Sequence, residues 1–163
     1  MVSKRLSRET GHRRKFLAIV DDTPECEQAV AYASRRAKTT GGVLVLLYVI
    51  DNADFQHFLG VEQVMRDEAT ANAKLALDGY ATRIRTSLSI EPELIVREGA
   101  AKDEILAHIE EDQDIAILVL AASSAKEGPG PLVMATVGKG GSFPIPVTIV
   151  PQTLSEEDME HLA

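Results

Sequence analysis

Cysteine is almost missing from this chain: there is one, Cys26. An intramolecular disulfide is thereby excluded, and a reducing compartment fits. Histidines are few and scattered. His12, His57, His108 and His161 show none of the close pairings of metal-binding motifs, so no metal site can be argued from them. No apolar run approaches the roughly 20 residues that span a bilayer, so no membrane partner is expected. The opening residues lack the apolar core of about 7 to 15 residues that a secretory signal carries, which leaves the cytoplasm as the expected location. Basic residues are scarce too once the start of the chain is passed. Residues 1–15, MVSKRLSRETGHRRK, hold six Lys or Arg against one Glu, and the remainder holds eleven against 24 acids, a net of −13. A basic tail can touch nucleic acid or acidic lipid, but short polar termini are ordinarily disordered, so no nucleic-acid partner is expected.

What is present describes a globular domain. The 163 residues are 45% hydrophobic and 26% charged, and that length suits one domain with its own core. We expect a disordered basic tail over residues 1–15, the domain over 16–154, and a frayed acidic end over 155–163. Residues 16–20 (FLAIV) and 43–50 (VLVLLYVI) are unbroken apolar runs, as are 94–96, 115–120 and 147–150. Unbroken rather than alternating runs are strands buried on both faces. Helical patterns separate them, except that a short glycine-rich connection precedes the last. The order implies a parallel sheet with right-handed crossovers, covered by helices on both sides.

The first helix has clear punctuation, with Thr23 to cap it, Pro24 at its first position, and Gly41 and Gly42 after its end. Its narrow apolar face is Cys26, Ala29, Val30, Ala33 and Ala37. A second helix is expected over about residues 61–87, its inward stripe being Val61, Met65, Ala69, Ala73, Ala76, Tyr80 and Ile84. Gly79 weakens it by roughly 1 kcal/mol relative to Ala, enough for a bend or a frayed end. A third, over about residues 102–111, buries Ile105, Leu106 and Ile109.

Ligands of open parallel sheets bind beyond the carboxyl ends of the strands. The residues there are Asp21, Asp22 and Thr23, then 49–52, 97–99 and 121–130. Asp21 and Asp22 can form an acid and base pair or a magnesium ligand set. Equally, Asp21 can accept from amides at the helix start. Asp51 reads as a turn or cap residue. Cys26, in the first turn of a helix, is either a thiol of lowered pKa or, more commonly at such a place, a small buried side chain.

These strand ends carry a resemblance. DDTPECEQAVAYA (residues 21–33), following FLAIV, resembles the opening of the universal stress protein family, with Asp21, Thr23, Ala29 and Ala33 in matching places. LVLLYVID (44–51), EGAAKDEILAHIEE (98–111) and FPIPVTIVP (143–151) are similar to three further family stretches, so the likeness covers about residues 16–151. It implies a Rossmann-like five-stranded parallel sheet in the order 3-2-1-4-5, helices on both faces, usually a cytoplasmic homodimer, and one branch that binds ATP. In that branch the positions of Asp21 and Val49 hold the nucleoside, Val49 through its backbone.

The family's phosphate loop has its glycines at fixed spacing before a Ser or Thr, and here the chain departs. Ala121 and Ser124 stand at the first two glycine positions, and Ala135 and Thr136 stand near the closing Gly-Ser. The strict motif is absent. Phosphate needs converging amides with no side chain in the way, and glycine permits that approach. Gly128 and Gly130 lie within the same loop, Ser123, Ser124 and Thr136 carry hydroxyls, and Lys126 or Lys139 can neutralise charge. Against these, Gly-Pro-Gly-Pro lacks two amide hydrogens, and Glu127 repels phosphate.

The reading is therefore an adenine-nucleotide-binding regulatory protein of the stress response, at most a slow ATPase. Its expected ligand is ATP, AMP or ADP, with magnesium as a companion, held by Asp21, Thr23, Val49, Ala121, Ser123, Ser124, Gly128, Gly130 and Thr136. The alternative is a dimeric interaction module that binds no nucleotide. For either, the expected dimer seam is the last strand, residues 147–150 between Pro146 and Pro151. The other candidate seam is the apolar stretch 55–59.

Overall fold

The computed structural model describes residues 2–57, 60–137 and 143–163. Lys139, and the Phe58 and Leu59 of the alternative seam, lie outside the described residues. Five strands, β1 (Lys15–Ile19), β2 (Val43–Ile50), β3 (Glu93–Glu98), β4 (Ile115–Ala122) and β5 (Val147–Pro151), form one parallel sheet in the order 3-2-1-4-5. The helices are α1 (Cys26–Thr40), α2 (Glu62–Leu88), α3 (Ala101–Glu111), α4 (Pro131–Val137) and α5 (Glu156–Leu162). A single 3₁₀ turn spans Phe55–His57.

Strand side chains alternate between two cores. Phe16, Ala18 and Val20 pack with α1, α2 and α5, whereas Leu17 and Ile19 pack with α3 and α4. Every apolar position of β1 is thus buried, which is why its sequence shows no alternation. The small face of α1 is buried at Cys26, Ala29, Val30, Ala33 and Ala37, and this lets the helix lie close on the sheet.

The helix ends differ from the sequence reading in instructive ways. Thr23 does not cap α1: its hydroxyl donates to Asp21, and Pro24 lies in the turn ahead of the helix, whose first residue is Cys26. The inward stripe of α2 runs through Ala73, Leu77, Ala81 and Ile84, while Val61 is exposed. Gly79 does not end this helix, which runs on to Leu88, and it faces open space. On α3 the third buried residue, with Ile105 and Ile109, is His108; Leu106 is half-buried.

Both termini are structured. Arg5 reaches the end of α3 and donates to the carbonyls of Ile109 (2.7 Å), Asp112 (2.5 Å) and Ile115 (3.0 Å). These include carbonyls that a helix end leaves without intrahelical partners, and a cation is favoured there. At the other terminus Ser155 and Asp158 form a reciprocal capping box on α5, and Met159 is buried against the α1 side of the sheet. The expected tails are a strap and a helix. No helix is long and apolar enough to cross a membrane among the described residues.

Candidate functional site

Strand order reverses between β1 and β4, and two hollows meet at Asp21 beside that point. The first is an open cleft of about 480 Å³ between the ends of β1 and β2 and the flank of α2. Its walls include Asp21, Asp22, Tyr48, Val49, Phe55 and Asn72. The size falls in the range of small-molecule sites, roughly 300–1,000 Å³. Asp21 Oδ1 accepts from the Thr23 amide (3.0 Å) and hydroxyl (2.5 Å), so one of its oxygens is fixed by the turn. Burial, then the negative charges of Asp22 and Asp21, raise the Tyr48 hydroxyl above its ordinary pKa, so it remains a donor. Phe55 is buried beneath the Arg66 guanidinium, whose centre lies 5.4 Å from the ring. Glu98 accepts from Arg66 at 3.0 Å and from Asn52 at 3.3 Å. The cation is thereby answered locally, and the aromatic wall is held in place. Aromatic and apolar surfaces suit a flat base, and carboxylates at one end suit hydroxyl donors.

The second hollow is a crevice of about 60 Å³ between the ends of β1 and β4, lined by Asp21, Thr23, Glu25, Ala121, Pro129 and Gly130. A loop from the end of β4 to α4 covers it. Gly128 (φ 112°) and Gly130 (φ 108°) take backbone conformations that an L side chain rarely adopts. The loop's amides mostly turn inward. Ser123 donates to the Pro129 carbonyl, Gly128 to the Ala125 carbonyl, and Ala125 to the Ser123 hydroxyl. Ser124 gives both its amide (2.9 Å) and its hydroxyl (3.1 Å) to Gln152 Oε1, just past β5. A neutral carboxamide oxygen thus holds the Ser124 hydroxyl, one of the donors that the sequence reading assigned to phosphate.

The predicted site residues therefore divide. Asp21, Thr23, Ala121 and Gly130 line the crevice; Asp21 and Val49 line the open cleft. Ser123, Ser124 and Gly128 shape the covering loop. Thr136 stands apart on α4, its hydroxyl donating to the Val133 carbonyl and its side facing a small apolar hollow with Ile105 and Phe143. Cys26 is buried, with its sulfur 3.6 Å from the Ile19 carbonyl, and burial raises rather than lowers its thiol pKa. No group of three His, Cys, Asp or Glu side chains placed to hold a metal ion occurs among the described residues. Sequence reasoning missed Glu25, Tyr48 and Gln152. Tyr48 precedes Val49 at the end of β2, and alternation turns its ring to the α1 and α2 face, opposite to the Val49 side chain; Glu25 and Gln152 carry no local signal.

An open parallel sheet with hollows at its carboxyl edge defines a Rossmann-like α/β protein. Within that class the chain belongs to the universal stress protein family, whose profile it matches over residues 12–151. Among solved structures it is similar to universal stress protein UspA from Lactobacillus plantarum, at 21% identity and a TM-score of 0.71, covering 84% of this chain and 97% of that one. It also resembles a universal stress protein family protein from Arabidopsis thaliana with AMP bound, at 19% identity and TM-score 0.57, over 85% and 91% of the two chains. A universal stress protein from Archaeoglobus fulgidus in complex with dAMP matches at 15% identity and TM-score 0.55, over 84% and 97%. Among curated protein sequences none matches significantly.

Proposed function

We propose that the protein binds an adenine nucleotide in the cleft at the ends of β1 and β2, as a regulatory ligand rather than as a substrate. The observation that carries this reading is the cleft itself: about 480 Å³, open, lined by Tyr48 and by the end of β2 at Val49, with Asp21 at the junction with the crevice. The base lies against the β2 end and Phe55, and the ribose hydroxyls donate toward Asp21. Family membership and the AMP and dAMP bound by two similar proteins support the choice of ligand. ATP, ADP and AMP, each with and without magnesium, are the ligands to try, in a cytoplasmic setting.

The test is to purify the protein without added nucleotide, denature it with acid, and chromatograph the supernatant on an anion exchanger. Melting curves with each nucleotide run beside it. Co-purified adenine nucleotide is expected, or a dose-dependent rise in stability that reaches about 2.7 kcal/mol at a hundred times the dissociation constant. A clean supernatant and unmoved curves would sink the reading.

A second reading has its own observation. β5 is an edge strand with one neighbour, and its Ile149 is exposed. Such an edge suits pairing with a second copy across a twofold axis, which makes a homodimer that works through its surface. Solution scattering at micromolar concentration then shows a dimer, and Ile149→Lys converts it to a monomer. A monomeric wild type removes the idea.

A further inference from the structure

Glu25 lies just ahead of α1 and is 8% exposed. Its side chain makes no capping bond to the helix amides, and among the described residues it has no hydrogen-bond or salt-bridge partner. It lines the crevice instead, with Oε1 3.8 Å from the point that a Cβ on Gly130 would occupy. A helix start beside a glycine-containing loop ordinarily draws anions, since amides and dipole point there. In this chain a carboxylate already occupies that field.

We propose that Glu25 makes the crevice a filter against polyphosphate, so that the site takes a nucleoside or its monophosphate and rejects the di- and triphosphate. The inference rests on the nucleotide-binding reading above and names which nucleotide that site accepts. Three observations act together. Asp21 and Glu25 put two carboxylates on one crevice. Of the loop's amides, those of Ser123, Ser124, Ala125 and Gly128 are bonded within the protein, so fewer donors are left to compensate a phosphate. Pro129 and Pro131 have no amide hydrogen to give. A chain of phosphates extended from the open cleft into this space brings further negative charge toward a partly desolvated carboxylate, where repulsion is screened less than in water. A ribose hydroxyl does the reverse, since it donates.

The experiment is isothermal titration of adenosine, AMP and ATP at one ionic strength into wild type, Glu25→Gln and Glu27→Gln. Glu27 is the charge-matched control, exposed and paired with Arg83 at 3.1 Å. In wild type AMP is expected to bind at least about tenfold more tightly than ATP, a ratio within reach of like charges a few ångströms apart. Glu25→Gln should strengthen ATP by about tenfold while moving adenosine by less than about threefold, and Glu27→Gln should leave the ratio unchanged. A melting curve reports whether the variant is folded, and Glu25→Ala carries the same expectation if the amide is not accommodated. Equal wild-type affinities for AMP and ATP, or a ratio that Glu25→Gln does not move, overturns the filter while leaving nucleotide binding intact. No binding of any of the three by wild type or variant overturns the nucleotide reading and the filter together, whereas ATP binding gained only by the variant supports the filter.

Discussion

The two hollows that meet at Asp21 are built by different means. The open cleft is made of strand ends and one helix flank, with Val49 and Tyr48 placed by the register of β2 against β1 and β3. Its geometry follows from the sheet. The crevice adds a covering loop to the ends of β1 and β4 and the starts of α1 and α4, and its form depends on how residues 121–130 spend their hydrogen bonds. There Gln152 takes two Ser124 donors and Glu25 takes the space beside Gly130. A site can therefore keep one half of a binding surface while its other half becomes hostile to the same ligand's charge, because the halves share one carboxylate and little else.

The largest expected effect tests the open half. Asp21→Ala removes an acceptor for a ligand hydroxyl and also the acceptor of the Thr23 turn. Hydrogen bonds to a charged group contribute roughly 1.5–3 kcal/mol, so AMP affinity should fall by about 100-fold in a titration. An unchanged affinity would place the ligand elsewhere and end the comparison.

The covering loop should respond in the opposite sense. Gly130→Ala introduces a Cβ with space for it but with a φ of 108°, so it costs about 1–3 kcal/mol of folding stability through backbone strain. AMP affinity should stay within about twofold, since the nucleoside does not depend on this loop. Denaturant melts and titrations read the two quantities separately, and a large loss of AMP binding would show that the loop cradles ligand after all. Smaller still is Gln152→Ala. Ser124 is exposed, so water can replace the lost acceptor and stability should change by less than about 1 kcal/mol. The freed amide and hydroxyl become available to an anion, and ATP should gain a few-fold on AMP.

Much of the fold was legible because strand burial on both faces leaves solid apolar runs, as in 43–50, and because Asp21 and Val49 sit at strand ends whatever the loops do. The phosphate half was not legible. Charged Glu25 in the sequence Thr-Pro-Glu reads as an exposed helix start, whereas in the fold it is buried beside Gly130. Gln152 meets Ser124 from 28 residues away, beyond any local pattern. The α4 helix was lost among flanking glycines and prolines. The α5 helix was missed although its signal is local: in the stretch expected to be a frayed acidic end, Ser155 and Asp158, three apart, are a capping pair ahead of Met159.

The weakest expected effect decides the pH at which the two hollows can be compared fairly. His108 on α3 is buried, and neither ring nitrogen has a hydrogen-bond partner among the described residues. Burial, then the positive charge of Arg97, lowers its pKa from the ordinary 6.5, while Asp112, Glu111 and Glu93 pull the other way. The folded protein thus binds this proton less readily than the unfolded chain does. Stability is fully present above about pH 6.5 and is lost as pH falls from there through the lower folded value. His108→Leu removes the titrating ring and its unsatisfied nitrogens at similar volume, so its melting temperature at pH 7 should equal or exceed that of wild type. Between about pH 7 and pH 5 the gap between the two proteins should widen as wild type alone takes the penalty. A gap that stays constant with pH would mean that His108 is not the group responsible. If it widens, nucleotide titrations at acidic pH will mix loss of fold with loss of binding, and the charge contrast between the hollows must be measured above the histidine's range.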